Sequence, residues 1–296
     1  MAAEDPPAPF PPIRRLGLPD LAPCLALAAD RGWAPERAKW SLLLSACEVF
    51  GVDAPDGGLA GSVTLTRWGP ELAAVGMMLV AARHARRGLG FALMSHLLRA
   101  AGEQATVTLF ATDMGRPLYA RLGFTVLRTS VSFTGYFRPP RDNSKKRRAL
   151  AAGPGARLAT AADLPAILAV DRAAFGADRS RIITRLPGFA EQIAVLDGGQ
   201  GVTGYAAAWR NGPASTVIGP LVAPDGAAAR RLVTELTARI RTPVRLDLDP
   251  GRLELPGWVQ ARGLAPVSRT AVMACGGPAP PGQPERLFTP ISVALA

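Results

Sequence analysis

Two short runs of alternating or continuous apolar residues, Gly61–Arg67 and Leu72–Val80, predict a pair of strands. Behind them GLGFALMSHLLRAAG (Gly88–Gly102) sets Leu89, Leu93, Met94, Leu97 and Leu98 at helical spacing. A strand over Ala105–Ala111, a short helix ending in glycine and a final strand follow. The same order then returns: strands over Gly204–Arg210 and Val217–Val222, then a helix that Asp225 caps, with Leu232, Val233, Leu236 and Ile240 on one face. A strand over Val244–Asp249, a short helix and a last strand complete it. In each half an Asp-Leu pair, at Asp20 and Asp163, opens an earlier helix. Hairpin-joined strands followed by a strand–helix–strand crossover imply an α+β fold, a mixed and mostly antiparallel sheet flanked by helices.

The recurrence is a sequence repeat. GLAGSVTLTRWGP (Gly58–Pro70) and GVTGYAAAWRNGP (Gly201–Pro213) pair Gly58, Gly61, Arg67, Gly69 and Pro70 with Gly201, Gly204, Arg210, Gly212 and Pro213 at one offset of 143. The same offset pairs Arg14 with Arg157, Asp20 with Asp163, Leu21 with Leu164 and Leu25 with Leu168. After a gap or two, VGMMLV (Val75–Val80) aligns with IGPLV (Ile218–Val222), and RLGF (Arg121–Phe124) with ARGL (Ala261–Leu264). Shared Ala/Gly-rich composition is the competing account, and agreement in two segments at one offset weighs against it. Two related domains are expected, 1–137 and 151–296, joined by a linker over 138–150.

Composition narrows the class. Hydrophobic residues are 48% and charged residues 19% of 296, a globular mix. No apolar run reaches the about 18 residues that would suggest a membrane span, and the first residues do not read as a secretion signal. Cys24, Cys47 and Cys275 are scattered, which fits a reduced, cytoplasmic protein, and with only His84 and His96 no metal site is expected. The net charge of +11 implies anionic partners: nucleic acid, lipid headgroups or a phosphorylated cofactor. Part of that charge lies in RPPRDNSKKRR (Arg138–Arg148), read as an exposed linker; it lacks the aromatics that stack on bases, so nucleic acid is not the favoured partner.

The sharpest chemical signal is RRGLGFALM (Arg86–Met94), which directly follows a buried-looking strand. Gly88 and Gly90 let a ligand approach the backbone. Amides at the helix start suit an anion, with Arg86 and Arg87 beside them. Physically this is a pyrophosphate cradle, although a plain helix start after a turn would leave the same trace. With the strand VTLFA and the segment ATDMGRPLYARLGF (Ala111–Phe124), it resembles the GNAT acetyltransferase superfamily, in which a Gln/Arg-x-x-Gly-x-Gly/Ala loop binds the CoA pyrophosphate. Ala85 stands at the loop's first position, a departure for which Arg86 and Arg87 compensate. GWAPERAKWSLLL (Gly32–Leu44) and DRAAFGADRS (Asp171–Ser180) look like the tandem members that carry a second, GNAT-like C-terminal domain.

The resemblance implies an acetyl-CoA-dependent N-acetyltransferase in which a small amine attacks the thioester directly. It assigns the cofactor to the backbone of Met78, Leu79 and Val80, to Arg86, Arg87, Gly88, Leu89, Gly90 and Phe91, and to Asp113, which could equally cap a helix. Tyr119 would protonate the leaving thiolate; its other reading is a packed core tyrosine beside Leu118 and Leu122. Glu71, or else Glu48, is the candidate base, either of which could instead be a solvent-facing charge. Trp33 and Trp40 lie where such proteins shape the acceptor pocket, with core packing as the alternative. The second copy has PDGAA (Pro224–Ala228) in place of RRGLG and Val259 in place of Tyr119, so it is expected to be non-catalytic. It could still line the acceptor site with Asp171, Phe175, Asp178 and Arg179, unless these serve capping and ion pairing. A protein that senses acetyl-CoA without turnover is the alternative function.

Overall fold

A computed structural model describes residues 11–139 and 155–295, apart from 213, 252, 253 and 279. The basic linker from residue 140 onward lies outside the described residues. The chain forms two compact units, Met1–Leu65 with Met77–Gly102, and Thr66–Gly76 with Glu103–Ala296.

In the first unit β1 (Arg14–Leu16) pairs antiparallel with β2 (Glu48–Asp53), and β2 with β3 (Leu59–Arg67). Helices α1 (Leu21–Asp30) and α2 (Arg37–Ala46) lie between β1 and β2 in sequence. The second half of β4 (Leu72–Val80) leads into α3 (Leu89–Ala101). That helix buries Leu89, Leu93, Met94, Leu97 and Ala101, the predicted stripe, while Leu98 is only partly covered. Gly61 explains how closely α3 and β4 pack on β3. A Cβ there would lie 2.9 Å from the Leu79 carbonyl oxygen and 2.9 Å from the Leu93 side chain.

In the second unit the first half of β4 runs parallel to β5 (Thr106–Ala111), from Leu72↔Thr106 to Val75↔Leu109. Then follow α4 (Arg116–Arg121), β6 (Thr125–Gly135), β7 (Gly155–Leu158), α5 (Leu164–Phe175) and two single turns, α6 (Ser180–Ile183) and α7 (Leu186–Phe189). The chain continues through β8 (Gln192–Asp197), β9 (Val202–Asn211), β10 (Ser215–Val222), α8 (Gly226–Thr237), β11 (Val244–Leu248), α9 (Glu254–Gln260), β12 (Ala265–Cys275) and β13 (Leu287–Thr289). A core of Leu232, Val233 and Leu236 from α8 packs with Ile218, Leu221, Leu246 and Val259.

The strand order departs from a simple tandem. It runs β5-β12-β6-β11-β10-β9-β8-β7, with β13 attached to β10. The last strand of the first half, β6, therefore sits between β12 and β11, and the last strand of the second half, β12, sits between β5 and β6. Each half lends its final strand to the other. The mixed α/β architecture is as expected, but the two halves do not end in separately delimited sheets. β6 and β12 are equivalent strands of the repeat, and they pair antiparallel from Ala265↔Thr134 to Ala274↔Thr125. Two equivalent strands running antiparallel form a two-fold arrangement, the symmetry also favoured by paired identical chains.

The repeat is physical as well as textual. Arg14 bonds Asp20 at 2.8 Å and Asp53 at 2.7 Å; Arg157 bonds Asp163 at 2.8 Å and Asp197 at 3.4 Å. Asp20 and Asp163 also accept the backbone N–H of Gly17 and Thr160, three residues upstream in each case. The Arg157 hydrogen bond, then that of the Thr160 amide, holds the Asp163 carboxyl far below the usual carboxylate range, and Arg14 lowers Asp20 and Asp53 in the same way.

Two outcomes follow from this architecture. Residues 1–137 expressed alone lack β12, leaving one side of β5 unpaired and β6 without either neighbour. Circular dichroism and dye binding should then show no cooperative unfolding, and co-expression of 151–296 should restore it. Because the native carboxyl of Asp163 titrates below its unfolded value near 3.9, its contribution is present above about pH 4 and fades as pH falls further. The urea midpoint should drop between pH 5 and pH 2.5, and by less in Asp163→Asn.

Candidate functional site

In the first unit the path from β4 to α3 is bent by backbone strain at named positions. Met77 adopts φ 45° inside β4, a conformation a non-glycine residue holds only when its surroundings enforce it. It stands two residues beyond the point where the parallel register with β5 ends, at Val75. Leu79 is buried while Met78 and Val80 are partly open.

After β4, Ala82 donates its N–H to Asp30 at 2.7 Å, and Arg83 pairs with Asp56 at 2.9 Å. Arg87 Nη1 lies 3.3 Å from Nδ1 of the buried His84. Two left-handed residues then turn the chain, Arg86 at φ 61° and Gly88 at φ 80°. Gly88 is the N-cap of α3 and brings no capping side chain, so the first helical turn opens from bare backbone. Arg86, Arg87, Gly88 and Phe91 are exposed around it and Gly90 is half-buried. Leu89 turns its side chain into the core and can offer only its amide. Exposed arginines beside the uncapped amides of a helix start are features that suit phosphate groups.

In the second unit Tyr119 lies on α4, 7% exposed, its ring 5.9 Å from that of Phe124. Burial pushes its hydroxyl up to about 12. Gly115 is required beside it, since a Cβ there would come within 2.9 Å of the Tyr119 ring. Asp113 is 92% exposed and does not cap α4: Gly115 is the N-cap, and Thr112 Oγ1 accepts the Gly115 amide at 3.3 Å. Glu71 is exposed just before β4, and its carbonyl accepts the Thr106 amide at 2.8 Å. Glu48, the other carboxylate considered as a base, belongs to the first unit and is engaged by Arg15 at 3.1 Å.

The aromatic and acidic acceptor candidates divide. Trp33 is exposed, whereas Trp40 on α2 has no exposed surface and packs as core. Asp171 and Arg179 form a buried bidentate pair, with bonds of 3.0 and 2.5 Å, and Tyr205 donates to Asp171 as well. Arg179 also lies 4.0 Å over the Phe175 ring, which meets Trp68 edge-on. Asp178 accepts the Ser180 amide at 2.8 Å, and hydrogen bonding from the Ser180 side chain, then from its amide, holds the carboxyl below the usual range. Asp171 and Arg179 are ion-paired and Asp178 caps locally, while Phe175 makes ring contacts with Arg179 and Trp68.

The second copy is closed at the corresponding points. Asp225 caps α8, accepting the Ala228 amide at 2.7 Å, so that helix start already holds a carboxylate. Val259 is buried. Where β10 leaves β11, after Val217↔Arg245, β13 attaches to β10 instead. Pro290 follows, with its carbonyl oxygen 2.3 Å from where a Cβ on Gly219 would be. The same segment reaches Ala294, whose carbonyl oxygen is 1.8 Å from a Cβ built on Gly76. Gly76 and Gly219 are equivalent in the repeat, and one stretch of chain, Leu287–Leu295, covers both. The sequence alignment contained this glycine pair but nothing that named its neighbour.

Among the described residues no helix is long and apolar enough to cross a membrane, and no cluster of three or more His, Cys, Asp or Glu could hold a metal.

The comparisons with known proteins bear on family and fold. The acetyltransferase (GNAT) family pattern matches residues 20–124, and a second acetyltransferase (GNAT) domain pattern matches 167–289. The chain is 26% identical over 228 residues to the uncharacterised N-acetyltransferase YitH of Bacillus subtilis, covering 76% of this chain and 77% of that one. Its fold is similar to that of a Pyrococcus horikoshii protein named for acetyltransferase activity, with a TM-score of 0.80 and 16% identity, covering 100% of this chain and 99% of the other. It is also similar to a tandem GNAT protein from the clavulanic acid biosynthesis pathway, with a TM-score of 0.60 and 18% identity, covering 90% and 99%. A GCN5-related N-acetyltransferase from Sphaerobacter thermophilus aligns with a TM-score of 0.58 and 18% identity, over 93% and 98%. With two such domains in one chain, the protein belongs to the GNAT superfamily of acetyltransferases as a tandem member.

Proposed function

We propose that the chain is an acetyl-CoA-dependent N-acetyltransferase acting on a small amine, with 1–137 as the catalytic domain, 138–150 as a basic linker and 151–296 as a degenerate domain that binds no acetyl-CoA. One contrast carries the reading. The turn before α3 opens on Gly88 with two exposed arginines, whereas the turn before α8 is closed by the Asp225 carboxylate. An anion is attracted to the first and repelled by the second.

Acetyl-CoA supplies an acyl group activated as a thioester. In this reading the amides at the start of α3 hold its pyrophosphate with Arg86 and Arg87, and the Met78–Val80 backbone holds its pantetheine arm. Asp113 contacts the cofactor from its exposed loop. The acceptor nitrogen bonds to the carbonyl carbon as the carbon–sulfur bond breaks. Glu71, directly or through water, takes the proton the nitrogen loses, and Tyr119 gives its proton to the departing sulfur. A hydroxyl pushed up to about 12 stays protonated at neutral pH and is ready to donate. Holding both reactants in one complex supplies much of the rate.

Calorimetric titration of acetyl-CoA and CoA tests the cofactor assignment. A Cβ on Gly88 meets nothing within 4 Å, so Gly88→Trp costs the left-handed strain of about 1–2 kcal/mol with no clash at its Cβ. It should fold and bind at least tenfold more weakly than wild type. A well-folded wild-type protein that binds neither compound would falsify the enzyme reading. Tyr119→Phe keeps the contact with Phe124 but loses the proton; kcat should fall roughly 100-fold with KM little changed. The wild-type rate should show no descending limb from this tyrosine between pH 7 and 10.

A further inference from the structure

The second unit contains a pocket of about 110 Å³ that, of the residues assigned above, includes only Phe175. It is lined by Thr108 and Phe110 of β5, Arg128 and Ser130 of β6, Phe175 of α5, and Asp249, which follows β11. The apolar lining includes Leu72, the first residue of the strand that pairs with β5.

Two arginines serve this region and they are held very differently. Arg245 binds Asp247 through Nε at 3.0 Å and Nη2 at 2.9 Å and also reaches Ser132 at 3.1 Å, so the buried Asp247 is neutralised. Arg128 makes no comparable bond: its carboxylate neighbour Asp249 lies 3.9 Å from Nε, beyond hydrogen-bond range. The Arg128 side chain is 50% exposed, and the charge of Asp249 supports its cationic form. Asp249 meanwhile accepts the Gly251 amide at 2.8 Å. A planar guanidinium with donors to spare is matched by a carboxylate, which it can bind with two parallel bonds. The pocket as a whole is close to neutral, Arg128 balancing Asp249 and Arg245 balancing Asp247. A dianion would therefore be repelled by Asp249, and a molecule that brings both a carboxylate and an amine would be matched. The ring of Phe175 and the Leu72 and Phe110 side chains suit an apolar remainder.

We propose that this pocket receives the acceptor, that the acceptor is a small amine bearing a carboxylate, of the amino-acid class with an apolar side chain, and that Arg128 is the group that binds the carboxylate. The proposal rests on the N-acetyltransferase reading and narrows its substrate class. Arg128 here is a specificity residue and takes no part in bond making.

The test compares L-leucine and L-phenylalanine with their carboxyl-free counterparts, 3-methylbutylamine and 2-phenylethylamine, measuring CoA release from acetyl-CoA. Wild type should prefer the amino acids. Arg128→Gln should raise KM for them at least tenfold while leaving KM for the simple amines and acetyl-CoA affinity unchanged; Arg128→Lys should recover part of the loss. Equal effects on both panels, or a wild-type preference for the simple amines, would overturn the assignment. Calorimetry of L-leucine alone adds a readout independent of turnover. Binding lost in Arg128→Gln supports the pocket even if acetyl-CoA does not bind, and absence of binding and turnover in wild type removes it. Failed acetyl-CoA binding, by contrast, counts against the enzyme reading and not against the pocket.

Discussion

Backbone hydrogen bonding along β6 and β12 is the constraint from which the rest of the second unit follows. A strand's N–H and C=O groups must find partners when buried, and β5 and β11 each meet this need with the final strand of the other half. Because β6 and β12 also pair with each other, neither half can complete its sheet by itself. The exchange makes the two copies of the repeat one cooperative structure. The second copy, with Asp225 capping α8 and Val259 buried, is thereby necessary for the fold of the first.

A second consequence concerns the segment Leu287–Leu295. Once β12 has returned to β5, the chain still has residues to place, and it places them against two glycines that the repeat makes equivalent. Pro290 meets Gly219 and Ala294 meets Gly76, both through backbone oxygens. At β10 the segment adds a strand where the parallel partner diverges. Internal backbone thus occupies the second half at the level where the family resemblance assigns the pantetheine arm in the first.

The candidate catalytic residues differ in how much the surrounding structure commits to them. Tyr119 is held by burial, by Phe124 and by the missing Cβ of Gly115, so its position is specified from several sides. Gly88 and Arg86 are specified by backbone conformation, which needs no neighbour. Asp113 and Glu71 are exposed, Asp113 with Arg116 3.8 Å away, and exposed side chains keep much of their conformational freedom.

Periodicity alone located the strands, the α3 stripe of Leu89, Leu93, Met94 and Leu97, and the Asp225 cap, because each depends on neighbours within one or two turns of the chain. The repeat was equally legible, since Arg14 with Asp20 and Arg157 with Asp163 are local pairs six residues apart. The glycine-opened turn before α3 could be read because left-handed backbone and helix starts leave a residue signature. What the sequence could not express was partner choice over long separations. The β6–β12 pairing, the Leu287–Leu295 segment against Gly76 and Gly219, and the juxtaposition of Arg128 with Asp249 are all non-local. Two strands of similar apolar pattern fit either β5 or β11 by propensity, and only packing in three dimensions selects one. The burial of Trp40 and the Asp171–Arg179–Tyr205 cluster were decided in the same way, since a tryptophan or a charge carries no mark in sequence of whether water or protein surrounds it.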